Sequence, residues 1–211
     1  MIDWPNIPDS RAAILRQYDL DRDVLAKVFG RLTRRLTKER FVLVLKSLGI
    51  SESPTVFPSH PRLRAAAYDY AVLAHRRRGR TIFQEWLDKY NDGRCGPTTP
   101  ALNRVVTALT ESRFGVHDIE TVEDGVGVGV RDVLSGERHF VVDRLMSANW
   151  KAGARFGNRL IAFPGFAMFT SEPIEAAVSP GEDFQGGALS ASDQAKLQAA
   201  LIKAFAQAVR P

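Results

Sequence analysis

Acid–base or metal-ligand chemistry would depend on the ionisable side chains that cluster in residues 117–143. These are His117, Asp118, Glu120, His139 and Asp143, and they could converge on one site if the segments that contain them pair as strands. No two of the four histidines in the chain have the H-x-x-x-H or H-E-x-x-H spacing that places two metal ligands on one helix face. The alternative is that all five are solvated residues of strand faces and turns. We therefore predict neither a catalytic residue nor a metal site.

Three further features resemble functional motifs only superficially. The glycines of DGVGVGVRD alternate with valines, whereas a phosphate-binding loop has its glycines between a strand and a helix. Glycines on one face of a strand more often allow a neighbouring chain to approach closely. Cys95 lies in a Gly/Pro loop without a base at a fixed offset, and Ser135 lies in a hairpin sequence, LSGE, rather than in G-x-S-x-G. We expect no cofactor.

The basic side chains indicate a function more strongly than the acid–base candidates do. Lys27, Arg31, Arg34 and Lys38 follow a four-three-four spacing, which places them on one helix face opposite apolar residues. A second cluster lies at residues 76–80. Clusters of this kind contact the phosphates of nucleic acids, and nearby Tyr68, Tyr70 or Phe83 could stack on bases. The predicted nucleic-acid-binding residues are Lys27, Arg31, Arg34, Arg35, Lys38, Arg76, Arg77, Arg78 and Arg80.

The basic clusters also have an ordinary interpretation. The first could be the solvated face of a helix, and Arg76, Arg77 and Arg78 could form the last turn of another helix, where cations complement the helix dipole. The net charge of +5 is nevertheless unevenly distributed. Residues 1–100 contain 18 basic and 11 acidic side chains, whereas residues 101–211 contain 11 and 13. The positive field of the front half can attract nucleic acid or an acidic partner.

Length and composition indicate an ordinary globular protein. The chain has 211 residues, of which 45% are hydrophobic and 25% are charged, so it can bury a core without disulfides. Its one cysteine, Cys95, excludes an internal disulfide and suits a reducing compartment. The first residues lack the pattern of a secretory signal, and the longest apolar run, residues 41–45, is too short to span a membrane. We expect a cytoplasmic location and no membrane contact.

Helical periodicity predicts a basic helical unit over residues 1–112. A short first helix is followed by a second one, and a third ends at Gly49. A Pro/Ser-rich connection at residues 51–61 precedes a helix that ends in HRRR before Gly79. The predicted starts or caps of the helices are Asp9 or Ser10, Asp21, Thr37, Pro61, Thr81 and Thr99.

After Ser112 the apolar residues alternate, which predicts a small antiparallel β unit over residues 113–175. The predicted strands are 114–122, 126–134, 137–143, 156–163 and 166–170, with turns at Asp124-Gly125 and Ser135-Gly136. Five short strands indicate a small barrel or a strongly curled sheet of the OB or SH3-like sort, and a meander packed on the helices is the alternative. The predicted fold class is α+β.

Residues 176–211 are predicted to be a linker and a final helix that begins at Ser190 or Ser192. The helix has one narrow apolar stripe, which must dock either on the body of this chain or on a second copy. The stripe consists of Leu197, Leu201, Ala204, Phe205 and Val209.

The stretch from Tyr68 to about Pro173 contains YDYAVLAHRRRGRTIFQEWLDKY, GVGVRDVLSGERHFVVDRLMS and RLIAFPGFAMFTSEPI. It is similar to an uncharacterised bacterial module that often accompanies SEC-C zinc-binding motifs, in which a D-x-L-[ST]-G-E hairpin precedes a small barrel. The nearest match is formed by Asp132, Leu134, Ser135, Gly136 and Glu137. The resemblance implies an architecture rather than an activity, and it implies no zinc because the SEC-C cysteines are missing.

The sequence therefore predicts a non-enzymatic binding or adaptor protein whose basic helical surface contacts nucleic acid. One alternative is a protein-interaction or oligomerisation module that pairs with another protein or a second copy through the carboxyl-terminal helix. The less favoured alternative is an enzyme that uses the histidines and aspartates of the strand unit. That alternative requires His117 and His139 to lie in one cleft.

Overall fold

A computed structural model describes residues 8–50, 60–176 and 189–209 and has the α+β architecture that the sequence predicts. In those ranges no helix combines the length and the apolar content that crossing a bilayer requires. The helices are α1 (Pro8–Thr33), α2 (Lys38–Ser47), α3 (Pro61–Asp69), α4 (Ile82–Asn91), α5 (Pro100–Glu111), α6 (Arg144–Asn149) and α7 (Ala191–Ala208). The strands are β1 (Arg113–Glu123), β2 (Gly127–Asp132), β3 (Arg138–Val142), β4 (Arg155–Phe163), β5 (Phe166–Phe169) and β6 (Ile174–Glu175).

Helix α1 is continuous, so the prediction of two helices with Asp21 at the start of the second is wrong. Asp21 is fully buried inside α1. Its carboxylate accepts hydrogen bonds from Nε and Nη2 of Arg104 on α5, at 3.1 and 2.6 Å, and from the amide of Gln17 at 3.0 Å. A carboxylate that resembles a helix start in the sequence is instead half of an ion pair that holds α1 against α5.

Helix α1 begins at Pro8, so Asp9 and Ser10 lie inside it and the prediction that one of them caps it is wrong. The starts of α2, α3, α4, α5 and α7 lie where the sequence predicts. Thr37, Thr81 and Thr99 each accept a hydrogen bond from the backbone N–H of the third helical residue, and Ser190 does the same for α7. Pro61 is the first residue of α3. Residues 51–59 of the predicted connection and residues 177–188 of the predicted linker lie outside the described residues.

The five predicted strands form a closed barrel in the order β1-β2-β3-β5-β4-β1, with β6 beside β4. Neighbouring strands are antiparallel except β3 and β5, which are parallel where Val141 pairs with Ala167. This Greek-key order, with α6 inserted between β3 and β4, is that of an OB-type barrel. The alternative of a simple meander is therefore wrong.

Apolar side chains fill the barrel, and the helices cover much of its outer surface. Helix α6 covers one end of the barrel, where Met146 is buried. The ring of Trp150 packs against Phe156 in an edge-to-face arrangement. The outer faces of β3, β4 and β5 pack on α1, α4 and α5. The opposite end of the barrel, which we call the barrel mouth, is formed by the start of β1, the end of β2, the start of β3 and the end of β4.

Four of the five residues of the predicted stripe of α7 pack on this chain, and the fifth, Ala204, is exposed. Leu197 and Leu201 are buried beside Phe114 and Val116 of β1, and Ile202 is buried in the cluster that includes α2 and α3. Docking on the body of the chain, one of the two predicted possibilities, therefore accounts for the stripe. The alternative of pairing with a second copy stays a prediction that the stripe no longer supports.

Candidate functional site

The first basic cluster lies on the solvent side of α1 and in the connection to α2. Lys27, Arg31 and Arg34 surround a shallow depression beside Gly30, and all three are exposed. Arg35 and Lys38, which follow, are exposed as well. Within the described part of the chain none of these five cations forms an ion pair, and Arg34 donates to the carbonyl of Gly30 at 2.9 Å.

The second basic cluster is not a helix end, so the prediction that Arg76, Arg77 and Arg78 form a last helical turn is wrong. A π-helical turn, Tyr70–Ala74, ends this helix, and the chain then reverses between Arg77 and Arg80. Arg78 has φ +52 at the tip of this reverse turn. Arg80 pairs with Asp88, whereas Arg77 and Arg78 are exposed and have no ion-pair partner among the described residues. Complementing a helix dipole therefore does not explain these arginines.

Arg40 follows the first basic cluster in the chain and acts electrostatically on His75, which precedes the second. It lies two residues after Lys38, is buried, and has its Nη1 atom 3.6 Å from a carboxylate oxygen of Glu85 on α4. Burial and the charge of Arg40 together lower the pKa of His75, the residue that precedes Arg76. The residues that flank the two clusters in the chain, Arg40 and His75, are therefore close enough to interact electrostatically.

The aromatic side chains suggested for base stacking are already engaged in the fold. Phe83 is 6% exposed and stacks on Trp86. Tyr68 stacks on Phe41 with ring centroids 4.6 Å apart, and Tyr70 is half-buried in the cluster beneath α2. The basic clusters therefore offer charge without an open aromatic platform.

The charged residues on the outer face of β1 and β2 neutralise one another. Asp118 accepts from Arg155 at 2.6 Å and from Arg131 at 3.0 Å, and Glu120 accepts from Arg138 at 2.8 Å. The hydrogen bond from Arg155 lowers the pKa of Asp118, and the hydrogen bond from Arg138 lowers that of Glu120. Asp118 and Glu120, two of the predicted acid–base candidates, are thus parts of a surface ion-pair network.

The barrel mouth brings the two strand histidines into one pocket of about 250 Å³, as the enzyme alternative requires. Asp132, which sequence reasoning did not include among the acid–base candidates, lines the same pocket. Asp143 lies elsewhere, because its carboxylate caps α6 by accepting from the N–H groups of Leu145 and Met146. The pocket therefore contains two of the five predicted residues, together with the carboxylates of Glu111, Asp132 and Glu137.

His117 lies inside the barrel and is 3% exposed, with Phe156 and Phe169 against its ring. Its Nε2 atom is 3.3 Å from the carbonyl oxygen of Asn158. Because a carbonyl can only accept, Nε2 must donate and Nδ1 of the neutral ring must hold the lone pair. Nδ1 is 3.8 Å from Oδ2 of Asp132 and has no hydrogen-bond partner among the described residues.

Asp132 is held in a fixed orientation by the hairpin that follows it. Its Oδ1 atom accepts from the N–H of Leu134 at 2.9 Å, and from the N–H and hydroxyl of Ser135 at 2.8 and 3.1 Å. Oδ2 is left to face His117. The space for Oδ2 exists because residue 115 is glycine, where a Cβ atom would lie 2.2 Å from it.

Cys95 has no catalytic environment. It is half-buried against the helical core, and its Sγ atom is 4.0 Å from the carbonyl oxygen of Trp86. Across the described ranges no three His, Cys, Asp or Glu side chains are grouped closely enough to hold a metal ion.

A family model described as "Family of unknown function (DUF7986)" matches residues 13–174, which is most of the chain. This chain belongs to DUF7986. No curated protein and no solved structure matches it. The DUF7986 region begins within α1 and ends in β6, so it contains both basic clusters and the whole barrel. The match does not test an association with SEC-C motifs.

Stability of this DUF7986 protein should depend on the pH because of His117. Burial lowers the pKa of His117 to about 4; Asp132 and Asp118 oppose this shift and His139 adds to it. Between about pH 4 and about pH 6.5 the unfolded chain binds the extra proton, so the free energy of unfolding should fall by about 1 kcal/mol per pH unit as the pH decreases. Urea unfolding across this range measures the slope.

Two variants separate His117 from the other titrating groups. His117→Gln keeps an N–H donor for the carbonyl of Asn158 and should make the slope shallower by about 1 kcal/mol per pH unit. His60→Gln, which removes a half-buried histidine outside the barrel, is the matched control and should change the slope less than His117→Gln does. An unchanged slope in His117→Gln would show that His117 is not buried in the neutral form.

Proposed function

We propose that this protein is a non-enzymatic, cytoplasmic binding protein that contacts nucleic acid through its basic surface, defined as the two clusters at residues 27–38 and 76–80. The observation that supports the proposal most is the contrast between two sets of cations. Eight cations of the basic surface are exposed without an ion pair among the described residues, whereas the arginines on the barrel face are paired with carboxylates. Unpaired cations on one side of a protein attract a polyanion.

The contacts expected from this surface are with phosphates rather than bases. Arg and Lys side chains that neutralise phosphates release counterions, and this gain is independent of base sequence. The engaged aromatic side chains leave no stacking platform in the described part of the surface. The outer face that OB barrels use for oligonucleotides is also engaged here, because β3 packs on helices and β2 takes part in the ion-pair network. The proposal therefore assigns binding to the helices.

Binding should be weakly sequence-dependent and strongly salt-dependent. We expect labelled single-stranded DNA, duplex DNA and RNA to bind at about 50 mM salt, and affinity to fall by at least about tenfold at about 200 mM salt. Fluorescence anisotropy measures both. Absence of binding to all three nucleic acids at the lower salt concentration would contradict the proposal.

Charge-neutralising variants test which cations make the contacts. Replacing Arg76 and Arg77 with Gln and Arg78 with Asn should weaken binding to every sequence and lower the log–log salt slope by about 2 to 3, since each phosphate contact contributes about 1. Asn is chosen at position 78 because it tolerates the positive φ there. Lys27→Gln, Arg31→Gln and Arg34→Gln together should have a similar effect.

A matched control removes the same charge elsewhere. Lys151→Gln, Lys196→Gln and Lys203→Gln remove three exposed cations that lie outside the two clusters, in the α6–β4 loop and α7. The control variant should keep the salt slope of the unaltered protein. Equal losses in the control and in the Arg76–Arg78 variant would mean that net charge alone acts and that the basic surface is not a site.

The resemblance of residues 68–173 adds a narrower proposal. We propose that members of DUF7986 occur beside SEC-C motifs in other chains, as the similar bacterial module does. The support is the hairpin from Asp132 to Glu137, which in this protein leads into β3 of a small barrel. A survey of the domain neighbours of DUF7986 tests it, and a lack of SEC-C motifs among them would contradict it.

A further inference from the structure

The barrel mouth contains two hydrogen-bond acceptors that face each other with no donor between them. Nδ1 of His117 holds a lone pair, Oδ2 of Asp132 is a carboxylate oxygen, and the two atoms are 3.8 Å apart. The Nδ1 atom is buried and has no partner among the described residues. Buried polar groups in proteins nearly always have a partner, so this pair of acceptors lacks a donor within the described part of the chain, and a bound ligand would supply one.

The surrounding chain holds the two acceptors in place. The ring of His117 is fixed by its hydrogen bond to Asn158 and by two phenylalanines, and the carboxylate of Asp132 is fixed by the three donors at Oδ1. The gap at Gly115 admits Oδ2 to the ring. Acceptors that are held in this way lose little conformational freedom on binding a donor group, and only a small shift of the His117 ring is needed to open the buried Nδ1 atom to it.

The rest of the pocket is acidic and partly apolar. Glu111 and Glu137 line it together with Asp132, and Arg113 is the one arginine or lysine among the described residues that line it. Phe114 and Leu160 supply apolar surface. An apolar cavity of about 150 Å³ holds a benzene molecule, so a pocket of about 250 Å³ has room for a ring with a small polar head.

We propose that the barrel mouth binds a small organic cation of the amine, amidine or guanidine class. Its N–H groups donate to Nδ1 of His117 and Oδ2 of Asp132, and its carbon skeleton contacts the apolar wall. Amidines and guanidines suit the site best because they place two parallel N–H donors on one planar head, which can reach both acceptors at once. The acidic lining favours a cation over a neutral donor. The residues that would bind the cation are not part of the basic surface, so neither proposal depends on the other.

Three ligands of the same shape test the chemistry. Benzamidine has only N–H donors at its head, benzamide exchanges some of them for an acceptor, and benzoate has acceptors alone. In isothermal titration calorimetry on the full chain, benzamidine should bind at least about tenfold more tightly than benzamide, and benzoate should not bind. No heat from benzamidine at millimolar concentration, or equal affinity for all three ligands, would overturn the proposal.

Variants of this chain test whether the ligand binds at the barrel mouth. Asp132→Asn keeps the Oδ1 acceptor of the hairpin but sets an amide N–H₂ group against Nδ1 of His117, so the chain supplies the missing donor itself. It should reduce benzamidine affinity by at least about tenfold and should fold, with an unchanged or higher melting temperature. Gly115→Ala should also abolish binding by displacing Oδ2.

The matched control is Asp124→Asn, which removes one negative charge from an exposed turn at the other end of β1. It should bind benzamidine as the unaltered protein does. If Asp132→Asn also retains full affinity, benzamidine binds elsewhere on the protein and the proposed site is wrong. If Asp124→Asn loses affinity equally, the effect is one of net charge and the proposal fails as well.

Discussion

Asp69→Ala should destabilise the protein by about 3 to 5 kcal/mol, because it would leave a buried arginine without its counter-charge. Asp69 is 1% exposed at the end of α3. Its Oδ1 atom accepts from Gln198 on α7 at 2.7 Å and lies 3.5 Å from Nε of Arg159 on β4, and its Oδ2 atom accepts from Thr170 at 2.5 Å. One carboxylate thus connects a helix of the front half, the barrel and the last helix.

Arg159 has few other ways to compensate its charge. Its side chain is 7% exposed, and its remaining partners are neutral oxygens, of Gln198 at 3.1 Å and of the Ser112 carbonyl at 3.4 Å. Urea unfolding of Asp69→Ala measures the cost. The double variant Asp69→Ala with Arg159→Met should recover part of the loss, because the cost arises from an unpaired charge rather than from a missing contact.

An exposed ion pair provides the matched control. Arg80 and Asp88 are each about half exposed, so Asp88→Ala should cost no more than about 1 kcal/mol. A loss of that small size in Asp69→Ala would contradict the assignment of Asp69 to the connection between the front helices, the barrel and α7.

The strands and most helix ends could be predicted from the sequence because local chemistry determines them. Thr37, Thr81 and Thr99 satisfy free amides within one turn, and alternating valines mark strands regardless of what they contact. The helix start at Asp21 was predicted wrongly because a contact with a residue distant in the sequence determines the role of this carboxylate. Asp21 resembles a helix start, and only Arg104, far along the chain, makes it a buried ion-pair residue inside α1.

The barrel mouth was partly predictable from strand parity. A two-residue turn at Asp124-Gly125 would pair odd residues of β1 with even residues of β2. In the structure Glu123 lies opposite Gly127, and an irregularity between Ile119 and Thr121 shifts the register so that His117 lies opposite Asp132. The next hairpin likewise places His139 opposite an even residue, Val130. Asp118 and Glu120 are even-numbered residues of β1, whereas His117 is odd-numbered, so their side chains could have been assigned to the outer face of the barrel. Whether a pocket opens there depends on barrel closure, which no local pattern specifies.

Two of the three glycines of DGVGVGVRD, Gly127 and Gly129, allow close approach, as the sequence predicts, but they differ in what approaches them. A Cβ atom at Gly127 would lie 2.0 Å from the backbone carbonyl oxygen of Val141 on β3, whereas one at Gly129 would lie 2.3 Å from the side-chain hydroxyl of Thr121. A hydroxyl on an exposed side chain can rotate away, but a carbonyl within the ladder cannot move without separating β2 from β3. The two glycines should therefore tolerate alanine to different degrees.

Gly127→Ala should lose about 3 kcal/mol of unfolding free energy, at the upper end of overpacking costs, and Gly129→Ala should lose about 1 kcal/mol. Gly30→Ala is the control, with an expected effect of opposite sign. Because nothing lies within 4 Å of the Cβ position of residue 30 in α1, alanine should raise the free energy of unfolding by about 0.5 to 1 kcal/mol. Urea unfolding of the three variants at one pH ranks them. Equal costs at Gly127 and Gly129 would mean that the β2–β3 ladder yields as easily as a side chain, and the close approach of the Val141 carbonyl would then not be what requires glycine at position 127.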